Sequence, residues 1–141
     1  LDLMQPYRLE MGLKLNSLKI QTLYQFWGDK ITDGLKTILE QQKTPVLVNL
    51  ASNEYFKAVD LQTLGRKVIG VKFLNVKDGE PRSLMYYAKH ARGTMARWIL
   101  ENRVDRAEDL KKFNVDGYKL NTNSSTEDEL VFFRRQPATK T

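Results

Sequence analysis

Residues 68–88 read Val68-Ile-Gly-Val-Lys-Phe-Leu-Asn-Val-Lys-Asp-Gly-Glu-Pro-Arg-Ser-Leu-Met-Tyr-Tyr-Ala88. Two β-rich runs, Val68 to Val76 and Arg82 to Ala88, flank Lys77-Asp-Gly-Glu80. Asp-Gly supplies the two consecutive positive-φ residues that a tight hairpin turn requires, so the stretch predicts an antiparallel hairpin. Everything around it alternates strand and helix patterns. Together these point to an α/β (mixed α+β) fold, a mixed sheet with an antiparallel hairpin and flanking helices.

Downstream, a helix is expected from about Arg92 to Asn102, with Ala91, Met95, Trp98, Ile99 and Asn102 on one face. Asp105 followed by Glu108 fits a capping box for another short helix that ends near Phe113. Two last strands, Gly117 to Asn121 and Leu130 to Arg135, bracket a loop of Thr, Asn, Ser and acidic residues. Upstream, Val46-Leu-Val-Asn-Leu-Ala51 is a nearly unbroken apolar run of strand length, which predicts a central strand covered on both faces. Ser52 to Lys57 then opens a short helix capped by Ser52 or Asn53. Before the strand, Ile31, Leu35, Ile38 and Leu39 form an apolar stripe on a helix that Pro45 follows. A short helix over Ser17 to Phe26, punctuated by Gly28, and an edge strand over Tyr7 to Leu15 complete the reading. Residues 1–135 are expected to form a single α/β domain, with 136–141 a disordered tail. The start on Leu1, without an initiator methionine, reads as a fragment.

The chain has 141 residues and no cysteine, so disulfides and thiolate metal sites are excluded, and one histidine makes a zinc site a poor fit. No apolar run approaches the roughly 20 residues of a membrane span, and no basic-then-apolar leader opens the chain. A cytoplasmic protein without membrane contact or cofactor is expected. The net charge is +6. Residues 51–112 carry 13 basic against 8 acidic side chains, whereas residues 1–50 carry 6 against 5 and residues 113–141 carry 4 against 4. The excess is therefore concentrated, which favours a basic patch.

Within that region Lys89, His90 and Arg92 fall where the helix after the hairpin is expected to begin. Cations oppose a helix N-terminus unless an anion sits there, so the junction reads as one wall of a phosphate site. Arg97 extends it, although a weak pair with Glu101 four residues on also accounts for Arg97. Asp29 and Glu54 are the carboxylates at element edges that would serve as catalytic bases, beside Lys57; helix capping by Asp29 and complementing of the helix dipole by Glu54 are the simpler accounts of them. Nucleotide-binding, nucleophile-elbow and zinc-finger templates are all absent.

Leu1-Asp-Leu-Met-Gln-Pro-Tyr-Arg-Leu-Glu-Met-Gly12, Leu23-Tyr-Gln-Phe-Trp-Gly-Asp29, Asn49-Leu-Ala-Ser-Asn-Glu-Tyr-Phe-Lys57 and Tyr87-Ala-Lys-His-Ala-Arg-Gly93 resemble the bacterial YaaA family of peroxide stress-response proteins. The order continues through Glu101-Asn-Arg103, Phe113-Asn114, Gly117-Tyr118 and Glu129-Leu-Val-Phe132. The resemblance covers Leu1 to about Arg135 and about the C-terminal half of a full-length member. It implies a cytoplasmic protein that limits unincorporated iron and oxidative damage. It also implies a DNA-binding fold with a basic cleft and a helix-hairpin-helix, the latter in the other half. Lys57, Lys89, Arg92 and Arg97 are the DNA or phosphate candidates, and His90 stands where the family has a lysine. DNA, double-stranded or distorted, is the expected partner, and a monomer the expected state. An enzyme acting on a nucleotide or other phosphorylated substrate is the alternative.

Overall fold

The computed structural model describes residues 10–12, 14 and 22–136. Most of the edge strand expected over Tyr7 to Leu15, the beginning of the first expected helix and the tail from Pro137 lie outside them. Among the described residues no helix is long and apolar enough to cross a membrane.

The hairpin forms as the Asp-Gly pair demands. Strand β2 (Lys67–Lys77) pairs antiparallel with β3 (Glu80–Arg82), and Asp78 and Gly79 turn at φ 54° and 82°. The second run, however, is strand only as far as Arg82. Helix α5 (Met85–Glu101) begins there, earlier than the expected start near Arg92. Tyr86 and Tyr87 favour strands in isolation, yet Ala88, Ala91 and Met95 repeat at helical spacing and carry the apolar face upstream. The packing of that face decides the conformation.

The sheet runs β1-β2-β5-β4, with β3 on β2. Strands β1 (Val46–Asn49), β2 and β5 (Glu129–Arg135) are mutually parallel, and β4 (Lys119–Leu120) pairs antiparallel with β5. Because Gly70 to Val76 are engaged by β5, the short β3 takes the other edge of β2, beyond the end of β1. The mixed sheet is as expected, but among the described residues β1 is not central. Among the described residues it pairs on one side only, and all four of its residues are half-buried. β2 and β5 fill the middle instead.

The core lies between one face of the sheet and α5. Along β2 the buried positions alternate as Ile69, Val71, Phe73 and Asn75, and the matched β5 positions Leu130 and Phe132 continue the layer. Ala91 and Met95 of α5 seal it from above, with Trp98 and Ile99 packed alongside. Phe73, Phe113, Tyr118 and Phe132 form an aromatic cluster in which ring centroids lie 5.0–5.8 Å apart, mostly edge to face. Burying rings of this kind gains about 1.5–3 kcal/mol each.

Elsewhere, local details depart from the sequence pattern. In α2 (Lys30–Glu40) Ile38 is 58% exposed, whereas Thr32 and Leu39 are buried. The helix is rotated because the Thr32 hydroxyl accepts the Asp60 backbone N–H at 3.0 Å, fixing the start of α4 (Leu61–Leu64). The capping box expected at Asp105 and Glu108 does not form; a 3-10 helix spans Ala107–Lys112 without a side-chain cap. Its acids are engaged by cations three residues on, Glu108 with Lys111 at 2.8 Å and Asp109 with Lys112 at 2.6 Å. Residues i and i+3 eclipse in a 3-10 helix, so that spacing suits these pairs. Helix α1 (Leu23–Trp27) does carry a capping box, between Thr22 and Gln25. Helix α3 (Asn53–Phe56) follows Ser52, which stands at the cap without a side-chain bond.

Candidate nucleic-acid interface

Because α5 begins at Met85, its amides without a helical partner belong to its first turn, and Ala88 N–H already bonds to Leu84 O at 2.9 Å. Lys89, His90 and Arg92 therefore sit one to two turns inside the helix. The expected anion site built from a helix N-terminus is not what these side chains form. They stand instead on the helix wall.

Three of the basic residues come together on that wall. Lys89, His90 and Arg97 line one cleft of about 750 Å³ with Tyr86, Gly93 and Thr94 from the same helix and Asp116 from the facing 3-10 turn (Val115–Gly117). Their positions follow from helical spacing, since residues three, four, seven and eleven after Tyr86 return to one side of the helix. Arg92 is excluded by the same geometry. Five residues at about 100° each place it roughly 140° around the axis from Arg97, and it does not line the cleft. Asp29, Glu54 and Lys57 do not line it either.

Those three have other surroundings. Asp29 stands at the N-cap of α2, where its carboxylate makes no capping bond. Glu54, on α3, accepts the Met11 backbone N–H at 3.1 Å through Oε1, and its carbonyl accepts from the Tyr24 hydroxyl. Lys57 closes α3 as an exposed C-cap. They belong to the chain segments around β1, while the carboxylate of the cleft is Asp116.

Asp116 was not legible as a site residue. It holds φ 54°, a conformation uncommon for residues other than glycine, just before Gly117 at φ 76°. That turn carries its carboxylate to 3.8 Å from His90 Nδ1, with the Thr94 hydroxyl 3.5 Å from the same nitrogen. Arg134 of β5 supports the turn from behind, donating from Nη1 to the Asp116 carbonyl at 3.4 Å. Its guanidinium lies over the Tyr87 and Tyr118 rings, 4.9 and 4.4 Å from their centroids, and its Nε donates to Asn75 Oδ1 at 2.7 Å. Beneath it the Tyr118 hydroxyl and the Asn75 amide nitrogen are buried without hydrogen-bond partners among the described residues. Burial pushes the Tyr118 phenol above its ordinary pKa, partly offset by Arg134 and by the nearby Asn75 side chain, which does not meet the hydroxyl in hydrogen-bonding geometry.

The cleft's own cations are lightly engaged. Arg97 and Glu101 approach to 4.0 Å with both side chains mostly exposed, a pair worth at most a few tenths of a kcal/mol. Two long exposed cations with an aromatic ring and an imidazole on one helical face can meet a phosphodiester and a ring system. A second groove of about 610 Å³, between β1, α5 and the 3-10 helix, is lined chiefly by Val46, Val48, Leu50, Ile99 and Leu100. It offers no comparable group of cations. Among the described residues no three of His, Cys, Asp or Glu are grouped as a metal site needs.

Comparison with known proteins adds to this geometry. A family model described as peroxide stress protein YaaA matches residues 1–124. A UPF0246 protein of Maricaulis maris is 50% identical over 138 residues, which is 98% of this chain and 52% of the relative. A UPF0246 protein of Polynucleobacter asymbioticus is 51% identical over 136 residues, 96% of this chain and 53% of the relative. The chain spans about half the length of these curated relatives.

Proposed function

The chain belongs to the peroxide stress protein YaaA family, and from that premise we propose that it contributes a DNA-binding surface whose α5 cleft grips the phosphate backbone. The observation that carries the reading is the convergence of Lys89 and Arg97, with His90, in one open cleft on a single helical face. Phosphate contacts by such cations supply most of sequence-independent affinity for DNA, through release of condensed counterions.

Fluorescence anisotropy with labelled DNA tests it. A phosphate contact contributes a slope of about 0.7–0.9 in log K against log salt, so Lys89→Ala and Arg97→Ala should each weaken binding roughly fivefold to eightfold near 0.1 M salt. Lys57→Ala and Arg92→Ala, outside the cleft, should change it little. Equal losses from all four would mean diffuse surface charge, and no loss from Lys89→Ala and Arg97→Ala would refute the reading.

At the level of the cell, the family's role in peroxide stress supports a protein that helps limit unincorporated iron and oxidative damage. A strain carrying Lys89→Ala with Arg97→Ala should then resemble the deletion strain in survival after hydrogen peroxide and in unincorporated iron. Full protection by that variant would separate the cleft from the stress role. The alternative, an enzyme acting on a nucleotide or phosphorylated substrate, would run through Asp116 and His90 rather than Asp29 or Glu54. The 3.8 Å approach of those two side chains is what favours it.

A further inference from the structure

Resting on the DNA-binding reading above, we propose that the cleft takes a DNA strand carrying an unpaired base. The base stacks on Tyr86, the flanking phosphates meet Lys89 and Arg97, and the strand passes closely over Gly93.

Tyr86 is 77% exposed at the head of the cleft. Its ring meets Tyr87 edge to face at 5.5 Å, and Tyr87 is itself covered by the Arg134 guanidinium. Tyr86 is thus a braced ring with most of its surface open to solvent. Aromatic side chains presented beside backbone-tracking cations are the stacking platforms of single-strand binding, because every base offers a π face.

Gly93 gives an independent indication. It is the ninth residue of a 17-residue helix, a position where glycine is the poorest choice short of proline. Among the described residues nothing requires it there. It holds no positive φ, and a Cβ built on it would meet no atom within 4 Å. A glycine in the floor of a cleft, between cations, instead lets a ligand approach the helix backbone. Lys89 and Arg97 flank it, about 12 Å apart along the axis at 1.5 Å per residue.

The charge pattern favours one strand over two. Asp116 lines the cleft, and Glu101 stands beside Arg97 at its end. A single strand can follow the line from Lys89 over Gly93 to Arg97, whereas a duplex would add a second backbone's charge to what these carboxylates oppose.

Anisotropy titrations of a labelled single strand of about 20 nucleotides and of the matching duplex, with thermal melts of each protein, test the proposal. The wild type should bind the single strand more tightly. Tyr86→Ala should lose about fivefold to a hundredfold of that affinity and a smaller factor of the duplex affinity, and Tyr86→Phe should retain both. Gly93→Ala should raise the melting temperature by about 3 °C and yet weaken single-strand binding. If Tyr86→Ala binds the single strand like wild type while Lys89→Ala and Arg97→Ala lose affinity, stacking is refuted and the backbone grip survives. If Gly93→Ala binds the single strand undiminished, the close passage over Gly93 is refuted. Absence of salt-dependent binding to either DNA overturns both this proposal and the reading beneath it.

Discussion

Replacing Arg134 with Met tests how the cleft's far wall is held in place. The guanidinium donates to Asn75 Oδ1 at 2.7 Å and lies over two tyrosine rings at 4.4 and 4.9 Å. A hydrogen bond from a charged donor contributes about 1.5–3 kcal/mol, and each ring contact about 0.5–1 kcal/mol at a partly exposed site. The contact with the Asp116 carbonyl, at 3.4 Å, is too long to add much. Loss of the group also leaves the Asn75 carbonyl oxygen without its donor in a fully buried position. Arg134→Met should therefore cost about 3 kcal/mol, a fall of roughly 9 °C in melting temperature for a domain of this size. Asn75→Leu on its own removes the acceptor. The double variant replaces both partners with apolar groups and removes the unpartnered Asn75 amide nitrogen, so it should lie within about 1 kcal/mol of wild type. Calorimetric or circular-dichroism melts of the four proteins give the coupling energy, expected at about 2 kcal/mol or more, since the roughly 3 kcal/mol cost of Arg134→Met falls to about 1 or less once Asn75 is also replaced. A coupling below about 0.5 kcal/mol would refute the argument that Asn75 and Arg134 act as one buried pair.

Three further substitutions probe other parts of the account. Tyr118→Phe removes a buried hydroxyl without a partner and should stabilise the fold by up to about 1 kcal/mol. Because burial raises this phenol's pKa, the unfolded chain ionises first as pH rises through about 10, so wild type should lose stability relative to Tyr118→Phe in melts between pH 9 and 11, and parallel curves would count against it. Gly79→Ala forces a side chain onto φ 82° in the hairpin and should cost about 1–2 kcal/mol in urea unfolding; a neutral result would mean the turn relaxes freely. Asp60→Ala removes the cap of α4, where the carboxylate accepts from Gln62 N–H at 2.9 Å and Thr63 Oγ1 at 2.7 Å, and should lower the melting temperature by about 3 °C. The Thr63 hydroxyl foremost holds that carboxyl below its ordinary 3.8, so the difference from wild type should shrink as pH falls below 4.

What could be read from the sequence follows the range of the forces involved. The hairpin was legible because Asp78-Gly79 and the period-two pattern of β2 are local and agree. The start of α5 was not, since Tyr86 and Tyr87 prefer strands and only the layer formed by Ile69, Phe73 and Phe132 against Ala91 and Met95 overrides them. An apolar run such as Val46 to Ala51 does not state whether a neighbour lies on one side or both, which is why β1 was placed in the centre. Lys89 and Arg97 share a helical face only because α5 begins at Met85; with a start near Arg92, Lys89 falls outside the helix, so their pairing was not readable. Arg92 was grouped with them because a junction was expected where the chain forms a continuous wall. Asp116 reaches His90 from 26 positions away through a turn with positive φ, and no local pattern announces that contact.

The most direct test of the cleft as a phosphate grip is the salt dependence of single-stranded DNA binding, measured for wild type and for Lys89→Ala combined with Arg97→Ala. Two lost phosphate contacts should make the slope of log K against log salt less negative by about 1.4. An unchanged slope would place the phosphate contacts elsewhere on the protein and contradict the account.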